Sequence, residues 1–235
     1  MKKAFLLSMV ALLLCTGCGN STKNEDTKDD TNRTEISSQD VVETESEEVV
    51  RDTGYVQAYI DTIKECEQNG TPGTITYDLI YFDNDDIPEL VAGVDSYYVS
   101  LYTYSDGNVN LVMDQWAYGA MGNHGYSYLP RQNVLYNSNA DFAGALYYEV
   151  YMGMKDHKEM VTHYVVETHF FIDKNNNGYP DDNEYIDDPI CYYNGKQITD
   201  EERKDIGFAG DYEDIIGRKS ADEVINMLQE QANKN

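Results

Sequence analysis

A chain of 235 residues with 17 Lys+Arg against 43 Asp+Glu carries a formal charge of -26, His counted neutral. That sign excludes nucleic acid as a partner, because a polyanion gains no counterion release at phosphates; anionic membrane head groups are disfavoured on the same ground. With 41% hydrophobic residues and 21 Tyr, the chain nevertheless has the apolar content to fold.

Met1-Lys2-Lys3 and the apolar run Ala4 to Leu14 have the charge and length of a secretory leader, too short for a permanent bilayer span. The run ends in Cys15-Thr16-Gly17-Cys18-Gly19-Asn20. This resembles the bacterial lipobox, with small residues before a lipidated Cys, although Cys15 stands where that family usually has Leu. The resemblance implies a signal peptide over residues 1–18 and acylation at Cys18. It also implies two acyl chains that hold the protein to the extracytoplasmic face of the cell membrane. The alternative is an ordinary secreted protein cleaved near Gly17. Beyond Cys15 and Cys18 only Cys66 and Cys191 remain. They pair if the fold juxtaposes them, and otherwise are two separate thiols.

Residues 19–52 read as a disordered acidic tether. From Ser21 to Asp52 there are four basic and eleven acidic residues, and isolated Ile and Val too sparse to bury a core. The leader holds +2 and the tether -7, so -21 falls on residues 53–235, the size of one domain.

That domain opens with a helical pattern. Thr53 is a candidate cap; Val56, Tyr59, Ile60 and Ile63 follow the helical period, and Asn69-Gly70 with Pro72 gives a stop. Short runs rich in Val, Ile and Tyr follow: Ile75 to Phe82, Glu89 to Asp95, Val99 to Tyr104 and Val109 to Met113, with Ser105-Asp106-Gly107-Asn108 as a hairpin turn. The meander continues through Tyr126 to Leu129, Gln132 to Tyr136, Ala145 to Met152 and Val161 to Ile172, interrupted by a Gly-rich loop from Gly119 to Gly125. Thr199-x-x-Glu202 and Ser220-x-x-Glu223 are capping boxes, the second ahead of Val224, Ile225 and Leu228. Strands in the middle and helices at the ends predict an α+β fold, an antiparallel β meander flanked by an N-terminal helix and C-terminal helices.

Two acidic loops carry the chemistry. Asp173 to Glu184 places oxygens at positions 1, 3, 5, 9 and 12 of a twelve-residue loop through Asp173, Asn175, Asn177, Asp181 and Glu184, with the Tyr179 carbonyl at 7 and Gly178 at 6. That spacing wraps a calcium ion, and hard oxygens without Cys or His select calcium over zinc or copper. The loop resembles the EF-hand and the thrombospondin type-3-like calcium repeats of bacterial surface proteins. Pro180 and a strand-like flank favour the second, hence chelation without the helix-pair opening of a sensor. The alternative is an acidic Asn-rich turn that is simply solvated. The other loop, Tyr81-Phe82-Asp83-Asn84-Asp85-Asp86-Ile87-Pro88-Glu89-Leu90, resembles a D-x-D-G-D-G-x-P-E-L segment that links strands in exported bacterial proteins. Tyr81 replaces its first ligand and Asp86 its turn Gly, which leaves Asp83, Asp85 and Glu89 as a weaker ligand set, the alternative being solvated carboxylates on a turn. Cys191 to Thr199 reads as strand, Asn-Gly turn, strand and cap, and resembles an ending common in small Gram-positive lipoproteins.

No catalytic motif stands out. His157, His163 and His169 are the only clustered imidazoles; His163, Glu167 and His169 share one face of a strand but lie too far apart along it to hold one ion, and His124 has no partner in sequence. The tyrosines of the strands cannot all be buried, and neighbours such as Tyr147 and Tyr148 point to opposite sides, so an exposed Tyr surface suited to a surface glycan or protein is expected. The sequence thus predicts a lipid-anchored, extracytoplasmic, calcium-stabilised, non-enzymatic binding module. The competing reading is a cell-wall or glycan hydrolase, which needs a His beside a carboxylate in a cleft.

Overall fold

The computed structural model describes residues 53–70, 74–119 and 123–233. The expectations for the leader, Cys18 and the tether fall outside these residues. The mixed α+β class is as predicted, with antiparallel strands, a helix at the start of the folded region and a helix at its end. Helix α1 (Gly54–Asn69) buries Val56, Tyr59, Ile60 and Ile63 as the period requires, and Tyr55 with them. Thr53 occupies the cap position but its side chain makes no cap bond; its carbonyl accepts from the Val56 N–H at 3.1 Å instead.

The meander divides into two sheets. Strands β1 (Thr76–Ile80), β2 (Glu89–Val94), β3 (Tyr98–Ser105) and β4 (Asn108–Ala117) form the first in sequence order. The β3–β4 turn places Asp106 at φ 53° and Gly107 at φ 76°, the left-handed pair whose twist matches the flanking strands. The second sheet contains β5 (Asn123–Leu129), β6 (Val134–Asp141), β7 (Leu146–Lys155), β8 (Glu159–Phe171), β9 (Tyr185–Tyr193) and β10 (Lys196–Ile198), each paired with the next. After helix α2 (Asp200–Lys204), a two-residue strand β11 (Glu213–Asp214) returns to pair with β5, and helix α3 (Ala221–Asn233) closes the chain. Both predicted capping boxes form, at Thr199 with Glu202 and at Ser220 with Glu223.

Asn123, His124 and Gly125, expected in a loop, belong to β5. A register shift between Asn123 and Tyr126 absorbs Gly125 at φ 91°, and the buried amide of Asn137 on β6 donates to the Asn123 side chain at 3.0 Å.

Two clusters hold the layers together. Ile60, Ile63, Val224 and Leu228 from α1 and α3 pack with Tyr77, Leu90 and Ala92 on one face of the first sheet. Phe82, Leu101 and Met113 pack with Leu135, Met152 and Met154 between the two sheets. Each such side chain contributes about 2 kcal/mol on removal from water. Alternation along β6 and β7 leaves Tyr136 and Tyr151 on the side of the second sheet opposite Leu135 and Met152.

Candidate metal centre

The β1–β2 loop is clamped rather than loose. The Arg131 N–H donates to the Tyr81 carbonyl and the Asn133 N–H to the Phe82 carbonyl, each at 2.9 Å. The Arg131 guanidinium lies 4.4 Å above the Tyr81 ring and donates to the Asp85 carbonyl at 3.0 Å, with the Asp86 carboxylate 3.7 Å away. The two departures from the resembled motif, Tyr81 and Asp86, thus dock the loop on the β5–β6 turn.

Within the loop Asp83 and Asp85 each commit one oxygen to the backbone. Asp83 Oδ1 accepts from the Asp85 N–H at 3.1 Å, and Asp85 Oδ1 accepts from the Ile87 N–H at 2.8 Å. Both turn the other oxygen to one imidazole: His157 Nδ1 stands 3.2 Å from Asp83 Oδ2 and 3.8 Å from Asp85 Oδ2. His157 comes from the β7–β8 hairpin, whose turn residues Asp156 and His157 adopt φ 53° and 55°. Asp and His are among the few side chains that tolerate this region. The hairpin tip is seated on the first sheet by Thr103, which donates to the His157 carbonyl, and by an ion pair of Lys158 with Asp106 at 3.0 Å. Asp83, Asp85 and His157 present ligand atoms all within 4.8 Å of one another.

Glu89 stands at the start of β2, 2% exposed, and its Oε2 accepts the Phe82 N–H at 2.7 Å. Burial pushes its carboxyl up to about 8; the Phe82 bond opposes that shift, while the charges of Asp83 and Asp85 add to it. Burial also raises Asp85, against the Ile87 bond. Three carboxyls share this corner, and the Asp83 side chain is only 12% exposed. A proton on Glu89 or a cation between the aspartates relieves the repulsion.

The Asp173 to Glu184 loop closes on its own backbone. Asp173 accepts from the Asn177 and Gly178 N–H groups at 3.1 and 2.9 Å. Asn175 Oδ1 accepts from Asn177 N–H, and Asn177 Oδ1 from Tyr179 N–H. Asp181 accepts the amides of Asn175 and Asn177 at 2.7 and 3.1 Å. Glu184, 2% exposed, accepts from the N–H groups of Lys174, Asn175 and Asp181. The oxygens of Asp173, Asn175 and Asn177 each accept one N–H, which leaves each a second lone pair. Tyr179, whose carbonyl the spacing assigns to position 7, has an exposed ring set against Phe142.

The remaining candidates separate. His169 meets Glu167 at 2.9 Å, while His163 lies beside Gly153 on the neighbouring strand. Cys66 faces the Tyr102 hydroxyl and Cys191 faces Thr168, so both are free thiols; burial pushes the Cys66 thiol up. Sequence reasoning missed His157 as a partner of the first loop, because a hairpin tip gains its neighbours only through packing. Neither a family model, nor a curated protein, nor a solved structure matches the chain.

Proposed function

We propose that the chain is a lipid-anchored extracytoplasmic lipoprotein, attached through Cys18, whose α+β domain is a non-enzymatic binding module stabilised by divalent cations. The observation that supports the cation is the meeting of Asp83, Asp85 and His157 from two segments far apart in sequence, beside the buried carboxyl of Glu89. An ion there ties the β1–β2 loop to the β7–β8 hairpin. An imidazole among carboxylates suits zinc or manganese, whereas the all-oxygen loop from Asp173 to Glu184 suits calcium.

Melting the purified chain in chelator and then in calcium, zinc or manganese tests this. A ligand at a hundred times its dissociation constant adds about 2.7 kcal/mol to stability, and hence several degrees to Tm in a domain of this size. Zinc or manganese should act through Asp83, and calcium through Asp173. A Tm unmoved by all three ions overturns the reading. For the anchor, Cys18→Ser should release the protein into the medium; a mutant that stays with the membrane fraction defeats it.

A further inference from the structure

A second site lies on the outer face of the second sheet. Tyr136 on β6 and Tyr151 on β7 stand in register with ring centroids 5.1 Å apart, and Tyr164 on β8 stacks on Tyr151 at 4.6 Å. The strap that follows α2 crosses this row. Phe208 approaches both Tyr151 and Tyr164 at 6.0 Å, and Tyr212 meets Tyr136 edge-on at 5.8 Å. Between strap and sheet runs a groove of about 540 Å³ with Ser127, Lys204 and Asp205 at its polar positions, which is the size range of small-ligand sites.

The hydroxyls of this groove are unequal. Tyr136 donates to Glu149 at 3.0 Å, and Tyr212 donates to the Phe208 carbonyl at 3.2 Å. The Tyr151 hydroxyl makes no hydrogen bond among the described residues; its ring is buried, but no polar side-chain atom is both buried and unpaired there, so the hydroxyl itself reaches the groove. That hydroxyl lies at the groove wall beside Gly207, where a Cβ would stand 3.3 Å from it. A hydroxyl that opens on the groove without a protein partner can donate and accept one hydrogen bond each, which a ligand can supply in place of water.

We infer that this groove binds a pyranose ring of a neutral glycan. A sugar offers an apolar C–H face to the flat Tyr and Phe rings, and hydroxyls along its edge to Tyr151, Ser127 and Asp205. Charge selects against the other ring-bearing ligands: a segment of net charge -21 disfavours nucleotides and acidic polysaccharides. Glu149 is already matched by Arg203 and Tyr136, and the one other groove carboxylate, Asp205, is exposed to solvent rather than set beneath the rings where it would hold a cation. A quaternary ammonium ion, the other ligand of aromatic sites, has nothing to offer the Tyr151 hydroxyl. The inference rests on the binding-module reading and is independent of the cations.

Titration calorimetry on the full chain tests it, with neutral tetrasaccharides of glucose, mannose, galactose and N-acetylglucosamine as probes, and choline chloride and inorganic phosphate as counter-probes. At least one tetrasaccharide should bind. Tyr151→Phe, which keeps the ring, should weaken it roughly fivefold with Tm unchanged, and Phe208→Ala should weaken it further. Repetition in chelator should leave the affinity unchanged, so that loss of the cation reading leaves this site standing. Binding of choline without any sugar, binding of none of the tetrasaccharides, or a Tyr151→Phe variant that binds as the native chain does, each overturns the inference.

Discussion

The two acidic loops are similar in composition and opposite in construction. From Asp173 to Glu184 every ligand-position side chain is answered from within the loop, by its own backbone N–H groups and its own Asn amides. From Tyr81 to Glu89 each ligand-position carboxylate takes one N–H of its own loop, but the remaining aspartate oxygens and the Asp85 carbonyl are answered from elsewhere, by His157 of the β7–β8 hairpin and Arg131 of the β5–β6 turn. A loop that satisfies itself keeps its shape without help and uses an ion to add rigidity. A loop whose carboxylates depend on distant elements converts any change at its centre into a change in how two sheets meet.

The first expected effect sharpens the self-contained side. Glu184→Ala strands three backbone N–H groups beneath the loop and should cost about 3 kcal/mol by chemical denaturation, with or without calcium. A cost below 1 kcal/mol would show that the network is dispensable.

The next effect belongs to the dependent loop and is a slope with pH. Unfolded, Glu89 ionises near its ordinary value of 4.5; folded, it does so near 8. The folded chain therefore holds a proton that the unfolded chain has lost. In chelator, stability should fall as pH rises through that interval and level off above it, by up to several kcal/mol. Glu89→Gln keeps an acceptor for the Phe82 N–H and should flatten the slope. A slope equal to that of the native chain would remove Glu89 as its source.

Smaller still, His157→Ala should cost about 1 kcal/mol or less without metal, yet abolish the Tm gain from zinc or manganese while leaving the response to calcium. Loss of both responses would merge the two loops into one site. Lys158→Ala, which removes an exposed ion pair with Asp106, should change stability by less than about 0.5 kcal/mol. A larger cost would mean that the hairpin tip depends on that pair for its seat.

Local signals made much of this fold legible. The period of Val56, Tyr59, Ile60 and Ile63 marked α1, and Asp106-Gly107 and Asn194-Gly195 marked hairpins that both form with left-handed turn residues. The division into two sheets was not legible, because a meander reads the same whether consecutive hairpins share a sheet or fold over one another. The start of β9 was hidden by Asp187-Asp188-Pro189, which reads as a breaker. In the structure that stretch falls at a register shift between the pairs His169↔Ile190 and Phe171↔Tyr185, where Pro needs no ladder bond. Twelve-residue spacing made Asp173 to Glu184 legible, since all its parts lie in one segment. His157 could not be found in that way, since its turn, Asp156-His157, lacks the Gly that announces a hairpin.

The short strands β10 and β11 have a further consequence. They are the outermost strands of the second sheet, three and two residues long, and β11 consists of two exposed acids, Glu213 and Asp214. A sheet margin this brief and this charged gives another chain almost no row of free N–H and C=O groups to extend. The long interior strands, rich in Val and Tyr, are thereby kept from templating aggregation. A chain that lost residues 213 and 214 would expose the flank of β5 to lateral association.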